Sequence, residues 1–380
     1  MLIGICGKTN TGKSTFLKAA TLAEVEIANR PFVTLKPNHA IGYVKIPCVC
    51  KEFNVKCNPK HGFCLDNNRF VPVELLDVPG LIKNAHKGEG LGLQFLDDIR
   101  QADAIIHVID ISGSTNEKGE SINIGTYDPL QDIEILENEI DMWFYDILKK
   151  DWENMLKKAR AEHTEIKKEI AKRFSGLKIT EKIVEEVLKE NSLDDLQKFC
   201  TELRKKSKPI IIAANKIDLN ADNLKEIKNR IMIPCSAESE LALKEAAKNN
   251  LIEYIPGENS FKIINELNEQ QKKALEFIKK NILEKYNSTG VQDILNQTVF
   301  KLLNYIAVYP VENSHLTDSD KNVLPDVFLL PSGSTALDLA YKIHSDIGDK
   351  FVKAKNMKTK QIVGKDYQLQ NGDVLEIITK

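Results

Sequence analysis

Short, unbroken apolar runs punctuate this chain: Leu2-Ile3-Gly4-Ile5-Cys6, Glu74-Leu75-Leu76-Asp77-Val78, Ala104-Ile105-Ile106-His107-Val108-Ile109-Asp110, Pro209 to Ala214, and Ile233-Pro234-Cys235. Hydrophobicity that is continuous rather than alternating over such lengths predicts strands buried on both faces. With helical stretches between them, the expected class is α/β with a mostly parallel sheet. The rhythm changes across 113–205. After Pro129, apolar residues fall at Ile133, Leu136, Ile140, Phe144 and Ile147, the three- and four-residue steps of one helix face. Trp152, Met155 and Ile166 continue the pattern. Thr180 is placed to cap a helix carrying Ile183, Val184, Val187 and Leu188, and Ser192 with Asp195 marks the start of another. This segment is therefore a helical, coiled-coil-like insert in the sheet domain.

Further helices are expected over Leu241–Ala247, Glu269–Tyr286 and Val291–Ile306. Pro310 and the polar run Glu312–Lys321 read as a linker. The tail then gives a strand at Val327–Leu330, a turn at Pro331-Ser332-Gly333-Ser334, a helix through Leu337, Leu339, Ala340 and Ile343, and strands at Phe351–Ala354 and after Asn371-Gly372. The expected division is a sheet domain over 1–112 and 206–303, an insert over 113–205 and a small domain over 304–380.

The chemistry sits where strands end. Gly7-Lys8-Thr9-Asn10-Thr11-Gly12-Lys13-Ser14, followed by Thr15, is a phosphate-binding loop between a strand and a helix. Its glycines let backbone N–H groups curl around phosphates, Lys13 reaches the β- and γ-phosphates, and Ser14 offers an oxygen to Mg2+. Asp77-Val78-Pro79-Gly80 puts a carboxylate beside that metal and a glycine N–H near the γ-phosphate. Asn215-Lys216-Ile217-Asp218 has a base-reading logic. The Asp218 carboxylate accepts from the N1–H and N2–H2 edge of guanine, the Asn215 amide can reach the base and tether the phosphate loop, and the Lys216 stem covers the ring. Adenine lacks both donors and would leave Asp218 unpaired. Ser236-Ala237 follows, with the Ala237 N–H aimed at guanine O6.

Arg30-Pro31-Phe32-Val33-Thr34-Leu35-Lys36-Pro37-Asn38, Asp77 through Ile82 with Ala85-His86 and Gly88–Gly92, and Phe95–Asp103 are similar to the two switches and following helix of the Obg-like GTPases. The chain most resembles their YchF-related archaeal and eukaryotic branch, in the hydrophobic-substituted TRAFAC class. The likeness runs over nearly the whole length. It implies a slow GTPase that uses Mg2+ on Ser14, Thr34 and Asp77, with Lys13, Thr34 and Gly80 at the reacting phosphate. The tail resembles a TGS domain, a ubiquitin-like β-grasp module, which implies ribosome or RNA contact. In one respect the chain departs from the best-known members: they carry an altered base motif and accept ATP, whereas Asn215-Lys216-Ile217-Asp218 is intact. Leu81 stands where Ras-like proteins have a water-orienting glutamine, so intrinsic turnover is expected to be slow. Asn10 matches a position that ligates K+ in some relatives, while Arg30 and His86 are further candidates at the reacting phosphate.

Composition narrows the field. A formal charge of −2 argues against a generally basic nucleic-acid binder, although Lys350–Lys365 holds six lysines and no acid. No apolar run has the length of a membrane span, and Met1–Cys6 is too short and lacks the basic flank of a secretory leader; a cytoplasmic protein is expected. Four of the seven cysteines, Cys48, Cys50, Cys57 and Cys64, crowd together with His61 among them. Three readings stand: a Zn2+ site, disulfides, or reduced core residues in a hairpin. Three functions also stand: a nucleotide-dependent switch working with the ribosome, a ribosome-independent hydrolase, and an RNA-binding scaffold with incidental turnover.

Overall fold

The computed structural model describes residues 1–21, 38–80, 92–161, 163–224, 230–318 and 320–380. Thr34, Arg30, Leu81 and His86 lie outside the described residues. In chain order the first elements are β1 (Leu2–Cys6), α1 (Lys13–Thr21), β2 (His39–Pro47), β3 (Phe63–Leu65), β4 (Asn68–Asp77), α2 (Gly92–Gln101) and β5 (Ala104–Asp110). Helices α3 (Leu130–Lys149), α4 (Trp152–Ala161), α5 (Ile166–Arg173), α6 (Glu181–Leu188) and α7 (Leu196–Ser207) follow. The sheet then resumes with β6 (Ile210–Asn215), β7 (Ile231–Pro234) and helix α8 (Ala237–Lys248).

The chain forms two compact units. The first comprises residues 1–22, 37–40 and 74–294. Its strands run in the order β4-β1-β5-β6-β7, all neighbouring pairs parallel, with Ile5 opposite Asp77, Cys6 opposite His107 and Asp110 opposite Asn215. Every residue of β1 and β5 is buried, as a sheet covered on both faces requires. The chemistry-bearing segments therefore all leave the carboxyl edge, where open α/β sheets bind ligands.

One face of the sheet packs on the insert through Phe95, Ile99, Phe144, Phe174 and Phe199. Helix α3 packs against α7, and Asp141 accepts from Thr201 at 2.9 Å and from Arg204 at 2.7 Å. Thr180 caps α6 as expected, but α7 starts at Leu196 with Asp195 as its cap, not Ser192. Beyond α8 come the strand pair β8 (Ile252–Tyr254) and β9 (Phe261–Ile263), then α9 (Glu269–Ile278), α10 (Glu284–Tyr286) and α11 (Val291–Asn296).

The second unit takes in 41–73 and 295–380. Here β10 (Tyr305–Val311) replaces the expected end of a helix, and Pro310 lies inside a strand rather than in a linker. A proline is tolerated because β10 changes partner along its length: Tyr305–Val308 pair with β11 (Phe328–Pro331), whereas Tyr309–Val311 pair with β14 (Val374–Thr379). Helices α12 (Ala336–Ile343) and α13 (Ser345–Asp349), strand β12 (Phe351–Asn356) and the short β13 (Ile362–Val363) complete the mixed sheet β11-β10-β14-β12-β13. Its core is Val308, Leu330, Leu339, Ala354 and Leu375.

Candidate functional site

The phosphate loop connects β1 to α1, and its first turn is secured by Phe16 N–H donating to Gly12 C=O at 2.8 Å. Gly12 has φ +89°, and a Cβ there would run into the Asn215 amide. Only glycine fits both the conformation and the space. Ser14 is exposed on the first turn of α1, beside Lys13. Lys13 Nζ pairs with the Asp77 carboxylate at the end of β4. The two opposite charges expected from the sequence to meet phosphate and Mg2+ thus lie side by side. Gly80 presents its open face to the loop: a Cβ built on it would stand 3.8 Å from Gly7 C=O and 3.9 Å from Thr9 Oγ1.

Asn215 is 3% exposed and ties three motifs together. Its Nδ2 donates to Thr11 C=O at 2.9 Å, and its Oδ1 accepts from the Ala237 N–H at 3.0 Å. The tether to the phosphate loop is as expected. The Ala237 N–H, however, is engaged by Asn215, so a guanine O6 contact there would have to share or exchange that bond. Asp218 is half-buried, and Ser236 Oγ donates to its Oδ1 at 2.7 Å. One carboxylate oxygen is thereby fixed and the group oriented. Lys216, at φ +67°, carries its Nζ to Asp110 Oδ2 at 2.8 Å, which holds its stem along the edge of the site.

Asp110 itself was not singled out by sequence reasoning, yet it organises this edge. Ser112 at 2.5 Å, Ser114 at 2.7 Å and Thr115 at 2.5 Å all donate to its carboxylate. Burial alone would raise its pKa; Lys216 and the three hydroxyls outweigh burial and hold the carboxyl below its ordinary value. The chain beyond Asp110 then folds back over the phosphate loop. Asn10 Nδ2 donates to Gly119 C=O at 2.8 Å, Thr115 Oγ1 lies 3.4 Å from Asn10 C=O, and Lys8 Nζ donates to Thr115 C=O at 3.0 Å. Buried Lys8 also pairs with Asp132 at 2.8 Å and lies 3.9 Å from the Tyr127 ring centroid. Asp-x-Ser-x-Ser-Thr directly after a buried strand is the signal that could have found this cage.

In the second unit, the Sγ atoms of Cys48, Cys50, Cys57 and Cys64 all lie within 4.8 Å of one another. The cluster can chelate a metal. None of the seven cysteines is disulfide-bonded, and Cys48 and Cys57 sit 3.8 Å apart, far beyond the roughly 2.0 Å of an S–S bond. His61 stands apart from the sulfurs, with its Nε2 3.8 Å from Asp326. The lysine run at 350–365 is not uniformly solvated, since Lys358 pairs with Glu52 at 2.8 Å. No helix among the described residues is long and apolar enough to cross a membrane.

Three family models match: a 50S ribosome-binding GTPase over residues 2–150, the G4 motif-containing domain of the YGR210-like Obg-like GTPases over 213–313, and a TGS domain over 321–379. The GTP-binding protein MJ1332 of Methanocaldococcus jannaschii is 46% identical, with 100% of this chain and 99% of that protein aligned. A crystal structure of a GTP-binding protein from Pyrococcus horikoshii OT3 superposes with a TM-score of 0.79 at 38% identity, covering 100% of both chains. The ribosome-binding ATPase YchF of Buchnera aphidicola is 28% identical, with 99% of this chain and 98% of that protein aligned. The chain therefore belongs to the Obg-like GTPases, as a YchF-like P-loop GTPase with a TGS domain.

Proposed function

We propose that this protein is a guanine-specific switch that hydrolyses GTP slowly and couples its nucleotide state to ribosome association. The observation that carries the base preference is the Ser236–Asp218 bond of 2.7 Å, which orients the carboxylate while leaving lone pairs on both oxygens for the N1–H and 2-amino edge of guanine. The intact Asn215-Lys216-Ile217-Asp218 supports guanine in this chain, where the resemblance implies an altered motif in the ATP-accepting members.

Lys13 and the phosphate-loop amides bind the triphosphate, and Gly80 N–H meets its terminal group. Ser14, Thr34 and Asp77 are the Mg2+ ligands in this reading, and the ion neutralises the charge that gathers on the transferred phosphoryl group. K+ at Asn10 would add charge on the opposite side. Asn10 Nδ2 is already donated to Gly119, so the amide oxygen is the atom for the cation. We read the metal of the four thiols as Zn2+, whose tetrahedral preference four sulfurs match. The working division is a GTPase domain over 1–112 and 206–303, an insert over 113–205 and a TGS domain over 304–380, with the insert and TGS domain as ribosome or RNA contacts in the cytoplasm.

Co-sedimentation with purified ribosomal subunits in GTP, in GDP and without nucleotide tests the switch. Association that depends on the nucleotide supports it. Constant association points to a scaffold, and no association to a ribosome-independent hydrolase; either result refutes the switch.

A further inference from the structure

The four cysteines lie on an irregular segment that should not hold its shape unaided. Cys48 and Cys50 flank the start of a short turn (Val49–Lys51), Cys57 lies in open loop, and Cys64 lies in β3 opposite Arg69. None of residues 51–62 is buried. A stretch with so little apolar burial cannot offset the conformational entropy of a fixed loop, and small irregular segments of this kind are held by disulfides or metals. Its neighbours make the same segment a dock for the C-terminal part of its unit. Asn58 N–H donates to Val323 C=O at 2.9 Å and Lys60 N–H to Pro325 C=O at 3.0 Å. The fully buried Arg69 guanidinium donates to Leu324 C=O at 3.0 Å and Pro325 C=O at 2.8 Å. Lys60 reaches Asp318 at 2.7 Å, and Glu52 reaches Lys358 at 2.8 Å.

The sulfurs are already close to a coordination shell. A Zn–S bond of about 2.3 Å places sulfur pairs about 3.8 Å apart at tetrahedral angles. Cys48 and Cys57 stand 3.8 Å apart, and no pair of the four exceeds 4.8 Å. A modest contraction completes the shell. Tyr309, from β10, is fully buried, with its hydroxyl beside Cys48 and the Val49 backbone. With a metal bound, such a buried donor would orient the sulfur ligand from outside the shell.

We propose that a zinc ion on Cys48, Cys50, Cys57 and Cys64 is the staple that keeps segment 48–69 docked on the 318–325 loop of the same unit, so that this docking is metal-dependent. The inference rests on the Zn2+ reading of the thiols and adds to it what the ion does. The same segment joins β2 to β4. In sequence these strands adjoin Arg30–Asn38 and Asp77–Gly92, the two stretches that resemble the switches.

The test uses the full-length protein purified under reducing conditions. Elemental analysis and native mass spectrometry should find one zinc per chain and a colourless protein; visible thiolate absorbance would assign iron instead and overturn the zinc reading. Hydrogen exchange is then compared before chelation, after it, and after Zn2+ is restored. Amides of Asn58 and Lys60 should exchange about tenfold faster or more without metal and recover with Zn2+, while GDP binding stays within about twofold. Failure to bind zinc, either as purified or on addition of Zn2+, overturns both the zinc reading and the staple. Zinc that binds while exchange at these amides is unchanged by its removal overturns the staple alone.

Discussion

Asn215→Ala removes one side chain and strands two backbone groups. Thr11 C=O loses its partner at 2.9 Å and Ala237 N–H loses its partner at 3.0 Å. Thr11 is 1% exposed and Ala237 0%, so water cannot readily replace the amide. Each buried group left unpaired costs about 1–3 kcal/mol, or roughly 2–6 kcal/mol for the pair before relaxation. Part of this will appear as a lower Tm, about 4 °C or more for a unit of this size. The rest will appear in binding, because the loop must be ordered to wrap the phosphates. A loss of only 2 kcal/mol is roughly thirtyfold in Kd. Fluorescent-nucleotide titration should therefore show GTP and GDP weakened by a similar factor, since the tether serves the loop rather than the γ-phosphate. Asn215→Asp separates the halves: it keeps an acceptor for Ala237 but sets a negative oxygen against Thr11 C=O, and should bind no better than the alanine variant. If Asn215→Ala retains wild-type Tm and wild-type affinity for both nucleotides, the tether carries no energy and the reasoning is wrong.

Three further outcomes are expected. Replacing Na+ with K+ should raise kcat for GTP if the Asn10 oxygen ligates the cation, and equal rates in both salts remove that role. His107 is fully buried in β5 with neither ring nitrogen hydrogen-bonded, and burial, aided by the nearby Lys8 charge, pushes it down to about 3. A depressed folded pKa favours the neutral ring, so its contribution is complete above about pH 6.5 and is lost as pH falls toward 3; roughly 2 kcal/mol should go between pH 7.5 and 5. Urea midpoints of His107→Leu should flatten over this interval, and parallel slopes for variant and wild type would refute the assignment. Gly119 sits at φ +82°, where a Cβ would stand 2.9 Å from Thr9 Cβ. Gly119→Ala should cost about 1–3 kcal/mol in stability and weaken nucleotide binding, and unchanged values would show that the 114–122 loop does not hold the phosphate loop.

Much of the nucleotide site was legible because its chemistry is local. A phosphate loop, an Asp-x-x-Gly turn and an Asn-Lys-x-Asp turn each follow a buried strand, and a parallel sheet sends all such ends to one edge. The apolar steps after Pro129 likewise specify a helix face wherever the helix packs. What escaped was non-local. Asn10 and Gly119 are 109 residues apart in sequence, and nothing in either segment names the other. Asp110 reads as an ordinary strand end until its three hydroxyl donors and Lys216 are brought around it. Pro310 was misplaced because a proline ordinarily breaks a strand, and only the change of partner along β10 makes it tolerable. The cysteine spacing, Cys-x-Cys with two wider gaps, left metal, disulfide and core packing all open. The mutual sulfur distances removed the disulfide.

Guanine recognition by Asp218 underlies the functional reading, and titration calorimetry addresses it directly. In magnesium buffer the folded wild-type protein should bind GDP and GTP but give no measurable heat with ATP, and Asp218→Asn should lose guanine nucleotides while gaining the xanthine ones. Equal binding of ATP and GTP by the wild-type protein, or undiminished GTP affinity in Asp218→Asn, would contradict it.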